Sequence, residues 1–148
     1  MDHDHAYRAA SPATRAADPA RRFTVAIDGD DTLWHNETLF QDTHAEFRQL
    51  LARHVDKPAA EIDERLLGIQ RRNLAIYGYG IKCFILSMIE TAIEMTEERI
   101  PAGDIKTLLD FGRRMLTHPV ALIDGVLEVI DALKADGHTV WLVTKGDL

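Results

Sequence analysis

Two short apolar segments, far apart in the chain, place the strongest constraint on how this sequence can fold. Residues 23–27 (FTVAI) and 139–143 (TVWLV) are rich in β-branched and other apolar side chains, which is typical of buried β-strands. Strands that are apolar on both faces ordinarily lie parallel, in a sheet that helices cover on both sides. The sequence therefore predicts an α/β fold with a parallel sheet.

The residues between these two strands show helical periodicity. A first helix is predicted from Leu39 to the proline at position 58, because apolar residues recur there at helical spacing. Three further helices are predicted at residues 59–77, 81–96 and 102–116. A fifth runs from Val126 and ends at Gly137. This order predicts four helices inserted into the sheet domain as a small bundle.

Two strands are fewer than the roughly four to six that an open α/β sheet usually contains. The sequence ends at Leu148, shortly after the second strand. We therefore expect the chain to stop partway through its α/β domain, with exposed apolar surface that favours aggregation or partial disorder. The predicted division is a flexible tail at residues 1–21, a partial core at 22–36 and 119–148, and a helical cap at 37–118.

Composition narrows the classes of partner. The net charge is −7 and no run of Lys or Arg forms a stripe, which argues against nucleic acid and anionic lipid. The most apolar stretch, residues 81–95, contains Lys82, Glu90 and Glu94 and is shorter than the ~20 apolar residues that span a bilayer. The single cysteine, Cys83, is expected to be a buried helix residue and indicates a reducing, cytoplasmic setting. Nothing in the sequence predicts the oligomeric state.

An acidic loop directly follows the first strand, at the edge where open α/β sheets bind ligands. It contains Asp28, Asp30 and Thr32, which share one face if the chain stays extended. Two close carboxylates repel unless a cation or a proton neutralises one of them, and Mg²⁺ prefers oxygen ligands. The spacing therefore predicts a Mg²⁺ site at Asp28 and Asp30.

The same carboxylate pair suits the hydrolysis of a phosphate monoester. Asp28 can attack phosphorus and form an acyl phosphate, which splits one difficult step into two easier ones. Asp30 can protonate the departing alkoxide and then accept a proton from the attacking water. Bound Mg²⁺ would offset the charge of the nucleophile and the phosphate. Asp28 and Asp30 thus suit the two roles of a magnesium-dependent phosphohydrolase, for which a small phosphorylated metabolite is the expected substrate.

The segment VAIDGDDTLW resembles the first motif of the haloacid dehalogenase superfamily of phosphatases, an apolar strand ending in Asp-x-Asp-x-Thr. The resemblance implies a Rossmann-like core, a nucleophilic Asp28, and an acid/base Asp30 whose backbone carbonyl also binds Mg²⁺. The segment WLVT resembles the second motif, which implies that Thr144 hydrogen-bonds the phosphate. The helical insert matches the family's first type of cap, which closes over the substrate.

The sequence also departs from the family pattern. The family's phosphate-neutralising lysine and the acidic pair that completes its Mg²⁺ shell normally follow the second motif by many residues, and neither is present. Lys145 is either a partial substitute for that lysine or a solvated residue, and it joins Thr144 and Thr32 as a candidate phosphate-binding residue. The 148-residue chain alone is therefore expected to be weak or inactive.

Several features of the sequence have alternative interpretations. A truncated, non-catalytic remnant or binding module stays open, whereas the helical insert argues against a phosphoacceptor receiver domain. A calcium-binding EF-hand loop is excluded, because its required Gly and Glu positions hold Leu33 and Leu39. Trp34 is either a flap residue that touches the substrate or a core aromatic. The glycines that flank Tyr79 indicate either a helix–helix turn or a substrate-specificity loop.

Overall fold

A computed structural model describes residues 21–145 of the chain. Two strands, β1 (Thr24–Asp28) and β2 (Thr139–Val143), form a parallel sheet. Five helices lie between them: α1 (Glu37–Leu51), α2 (Ala59–Tyr77), α3 (Ile81–Met95), α4 (Ala102–Leu116) and α5 (Val126–Ala135). The predicted α/β class, the parallel strand pair and the four-helix insert are confirmed. The predicted tail lies outside the described residues, except for Arg21.

The strand register fixes the edge at which the site forms. Pairing runs from Thr24 opposite Thr139 to Asp28 opposite Val143. Because both strands point the same way, the acidic loop after Asp28 and Thr144 after Val143 leave the sheet at one edge. The sheet therefore brings together two segments that are more than 100 residues apart in sequence.

Local sequence signals set most helix boundaries. The bounds of α2 and α4 agree with those predicted, and Pro58 and Pro101 precede them in extended conformation. The prediction that α1 continues to position 58 is wrong, since the helix ends at Leu51. Residues 52–54 turn tightly there, and Val55 packs against the helical core. The chain therefore leaves the helical path several residues before Pro58.

The buried core lies within the four inserted helices. Phe47, Met88 and Leu108 are fully buried and come from α1, α3 and α4. Cys83 is buried in α3, as predicted. Side chains from α1 to α4 complete the cluster: Leu50, Leu51, Ile62, Leu66, Phe84, Ile85, Ala92, Phe111 and Met115. The insert thus has an apolar core of its own, while its treatment as a separate domain stays a prediction.

The sheet and α5 are far less covered than the helical insert. No side chain of α5 is buried, and five apolar residues of α5 and β2 are each more than half exposed: Leu127, Val129, Trp141, Leu142 and Val143. The expected exposure of apolar surface beside the sheet is confirmed, and its effect on aggregation stays a prediction. Within residues 21–145, no helix combines the length and hydrophobicity required to cross a membrane.

Candidate active site

The acidic loop leaves β1 as a tight turn. The Gly29 carbonyl accepts hydrogen bonds from the backbone N–H groups of Thr32 (3.2 Å) and Leu33 (2.8 Å), and the Asp31 N–H donates to the Trp34 carbonyl (2.8 Å). Asp31 has a φ of 53°, in the left-handed region that reverses the chain direction. The extended conformation that would place Asp28, Asp30 and Thr32 on one face is therefore not adopted.

Asp28 and Asp30 line one cleft with Thr144 and Lys145. The cleft has a volume of about 460 Å³. Thr32 is not among the residues that line it, and its role in phosphate binding stays a prediction. The other lining residues come from the acidic loop, the start of α1 and the loop between α2 and α3: Asp31, Asn36, Glu37, Phe40, Tyr79 and Gly80.

The side chain of Trp34 contacts the candidate acid/base. Its indole Nε1–H donates a hydrogen bond of 2.9 Å to Oδ1 of Asp30. Its ring also lies against Gly29, so close that a Cβ added there would be 2.5 Å from the ring atom Cζ2. Neither sequence alternative for Trp34 included this contact, because it depends on the turn that returns residue 34 to the start of the loop.

Asp31 is the third carboxylate of the loop, and it contacts the start of α1. Its Oδ1 accepts the backbone N–H groups of Asn36 (2.9 Å) and Glu37 (3.1 Å), and its Oδ2 accepts the latter as well (3.1 Å). These bonds, first from Asn36 and then from Glu37, lower the pKa of Asp31 below its ordinary value. Asn36 supplies no side-chain cap, so Asp31 caps α1 and explains its early start.

The α2–α3 loop reaches across to the end of β2. The Lys145 ammonium lies 5.4 Å from the centre of the Tyr79 ring, a cation–π geometry. Gly78 (φ 76°) and Gly80 (φ 125°) flank Tyr79 and adopt backbone conformations that favour glycine. The loop is therefore a helix–helix turn that also lines the cleft.

A second cavity, of about 390 Å³, adjoins this cleft on the helical side. Asp30 and Thr144 line it as well, together with the imidazole-bearing residues His35 and His118. His118 Nδ1 lies 2.8 Å from the Pro119 carbonyl, which can only accept, so Nδ1 carries the proton. Most other lining side chains are apolar: Trp34, Leu39, Phe40, Ile81, Met115, Leu116, Pro119 and Val120.

Comparison with known proteins identifies the fold. Neither a family model nor a curated protein matches the chain. Among solved structures, it is similar to a haloacid dehalogenase-like family hydrolase from Xanthomonas campestris, with 47% sequence identity and a TM-score of 0.78 over 86% of this chain. The chain belongs to the haloacid dehalogenase superfamily. It spans about half of the Xanthomonas hydrolase, 52% of that protein's length.

The haloacid dehalogenase fold implies a bound Mg²⁺, so the side chains that line the cleft can be compared with the ligands that this ion needs. No group of three or more His, Cys, Asp or Glu side chains among residues 21–145 has metal-binding geometry. Asp28 and Asp30 nevertheless line one cleft, and Mg²⁺ is commonly bound by one or two carboxylates together with waters and a substrate phosphate. The residues present therefore fit part of a Mg²⁺ shell.

Three residues of this haloacid dehalogenase-like site were missed by sequence reasoning or left ambiguous. Asp31 caps α1, Trp34 contacts Asp30, and Tyr79 contacts Lys145. The glycines around Tyr79 were a visible signal for its loop. No sequence signal identified the other two contacts, because both require the left-handed backbone of a non-glycine residue.

Proposed function

We propose that this protein is a magnesium-dependent phosphohydrolase that acts on a small phosphorylated metabolite through an aspartyl-phosphate intermediate. One observation carries the proposal: Asp28 and Asp30 share a cleft with Thr144 and Lys145 at the carboxyl edge of the strand pair. Two carboxylates beside a hydroxyl and an ammonium group provide a nucleophile, a proton carrier and two phosphate ligands.

The chemistry divides among these four side chains. An Asp28 oxygen attacks phosphorus, a P–O bond forms to the carboxylate, and the P–O bond to the leaving group breaks. Asp30 gives its proton to the departing alkoxide, then takes one from the water that cleaves the acyl phosphate. Thr144 donates to a phosphate oxygen and Lys145 offsets its charge. Mg²⁺ held by the Asp28 carboxylate and the Asp30 backbone carbonyl would offset charge on the phosphoryl oxygens in the transition state.

A non-catalytic binding module of the same fold is the second candidate. It is favoured by the small number of acidic ligands, since Asp31 directs its carboxylate to the start of α1. Such a module would hold a phosphate group at Thr144 and Lys145 without turning it over. Turnover that depends on Asp28 distinguishes the two candidates.

The test is hydrolysis of p-nitrophenyl phosphate with Mg²⁺, measured on this chain and on a longer protein that carries the family's lysine and acidic pair. We expect weak turnover by the chain and robust turnover by the longer protein. Asp28→Asn should lower turnover at least about a thousandfold, because the amide cannot act as the nucleophile. Asp131→Asn, on the exposed face of α5, is the matched control for loss of one carboxylate.

Equal turnover by wild type and Asp28→Asn would contradict the assignment of the nucleophile. Absence of turnover in both proteins, with retained binding of inorganic phosphate, would support the binding module. Robust turnover by the 148-residue chain that disappears in Asp28→Asn would confirm the nucleophile and refute the expected weakness of the chain alone.

A further inference from the structure

We infer that Trp34 is a positioning residue that holds the Asp30 carboxyl for proton transfer to the leaving group. The inference rests on the proposed role of Asp30 as acid/base. It adds a residue from the loop itself, six positions after the proposed nucleophile Asp28. Three observations support it: the indole–carboxyl hydrogen bond, the fixed place of the ring, and the donor-only chemistry of indole.

The backbone of Trp34 is paired on two sides, and its indole ring lies against the start of the loop. The backbone of Trp34 forms bridges with Asp30 on one side and Leu122 on the other. Its ring lies against Gly29, which is buried and leaves no room for a Cβ. The Nε1–H is therefore presented to Asp30 by a constrained side chain, at a distance of 2.9 Å. A constrained donor limits the orientations of the carboxyl that it binds.

The chemistry of indole suits this positioning role. The Nε1–H of tryptophan donates a hydrogen bond and cannot accept one, so Trp34 cannot take the proton that Asp30 must deliver. Its donation to Oδ1 leaves the proton of the neutral Asp30 carboxyl on Oδ2. In the first step that Oδ2 proton moves to the leaving-group oxygen, and in the second step a proton from water returns to Oδ2. Trp34 thus selects which oxygen carries the proton.

Hydrogen exchange of the indole tests the contact without any need for turnover. The chain contains two tryptophans, and Trp141 on β2 is 61% exposed, so its indole is an internal control measured in the same NMR spectrum. Asp30→Ala removes the acceptor and should speed exchange of the Trp34 indole proton by about tenfold. Asp30→Asn keeps a side-chain oxygen and should leave exchange close to the wild-type rate. The Trp141 rate should be the same in all three proteins.

Leaving-group dependence tests the positioning role. An alkyl phosphate requires protonation of its leaving oxygen, whereas p-nitrophenolate departs readily as an anion. Trp34→Phe keeps an aromatic ring and removes the donor, so it should lower the ratio of kcat for glycerol phosphate to kcat for p-nitrophenyl phosphate by about tenfold. A merely structural defect would lower both rates alike and leave their ratio unchanged. The measurement uses whichever protein, chain or longer form, shows turnover that depends on Asp28.

Each outcome has a defined meaning. An unchanged Trp34 exchange rate in Asp30→Ala would overturn the inference whatever the activity. Faster exchange with an unchanged leaving-group ratio in Trp34→Phe would overturn the positioning role and leave the phosphohydrolase intact. Failure of the proposed function would show itself differently, as equal turnover by wild type and Asp28→Asn. Faster exchange together with a lowered ratio supports the inference.

Discussion

Replacing Gly29 with alanine should disrupt the acidic loop through one steric contact. A Cβ at this position would lie 2.5 Å from Cζ2 and 2.6 Å from Cη2 of the Trp34 ring. Ordinary carbon contacts are near 3.5–4.0 Å, so the ring must move by about 1 Å. The ring cannot move by that much and keep its 2.9 Å hydrogen bond to Asp30 in the present geometry. Overpacking of this kind typically costs about 1–3 kcal/mol.

The Gly29→Ala effect can be measured in two places. The Leu33 N–H donates to the Gly29 carbonyl at 2.8 Å, so its amide exchange reports opening of the turn. We expect the free energy of that opening to fall by about 1–3 kcal/mol. Trp34→Leu removes the clashing ring, so the double variant should lose less stability than the sum of the single variants, by about 1 kcal/mol or more. The reasoning would be refuted if the Leu33 amide of Gly29→Ala exchanged at the wild-type rate. It would also be refuted if the stability loss of the double variant equalled the sum of the two single losses.

Two further predictions concern stability. The carboxylate of Asp31 has a pKa below its ordinary value of 3.8, so its stabilising contribution is present above about pH 4 and is lost as the pH falls through the folded-state pKa. Urea titrations at several pH values measure the stability difference between wild type and Asp31→Asn. This difference should vanish at the lowest pH. A difference that grows on acidification would contradict the capping role. Met88 is 0% exposed within the helical core, so Met88→Ala should cost about 2–5 kcal/mol in urea unfolding, against less than about 1 kcal/mol for the exposed control Leu116→Ala.

Helix boundaries that depend on local signals were predictable from the sequence. Pro58 immediately precedes α2 and marks its start. Gly78, with a φ of 76°, ends the same helix. The parallel strand pair was also predictable, because apolar five-residue segments separated by helices have few alternative arrangements. The observed register places Thr144 beside the end of β1.

The parts that escaped prediction depend on one backbone conformation. A sequence pattern does not show that Asp31 adopts a left-handed φ, since that region is uncommon for residues other than glycine. Thr32 does not line the cleft, and the turn at Asp31 brings Trp34 to Asp30. It also aims the Asp31 carboxylate at α1, which moves the start of that helix from the predicted Leu39 to Glu37. One dihedral angle therefore separates the predicted site from the observed one.

The separation of the two strands in sequence also has a consequence for synthesis. Phe23 and His138, which meet at the start of the strand pair, are 115 residues apart. A ribosome adds about 5–20 residues per second, so β1 waits roughly 6 to 23 s before β2 has been made. The contacts within α1 to α4 form between residues much closer in the chain, and helical contacts of that range form in far less time. During translation the newly made β1 therefore remains an unpaired apolar strand while the helical insert has time to fold.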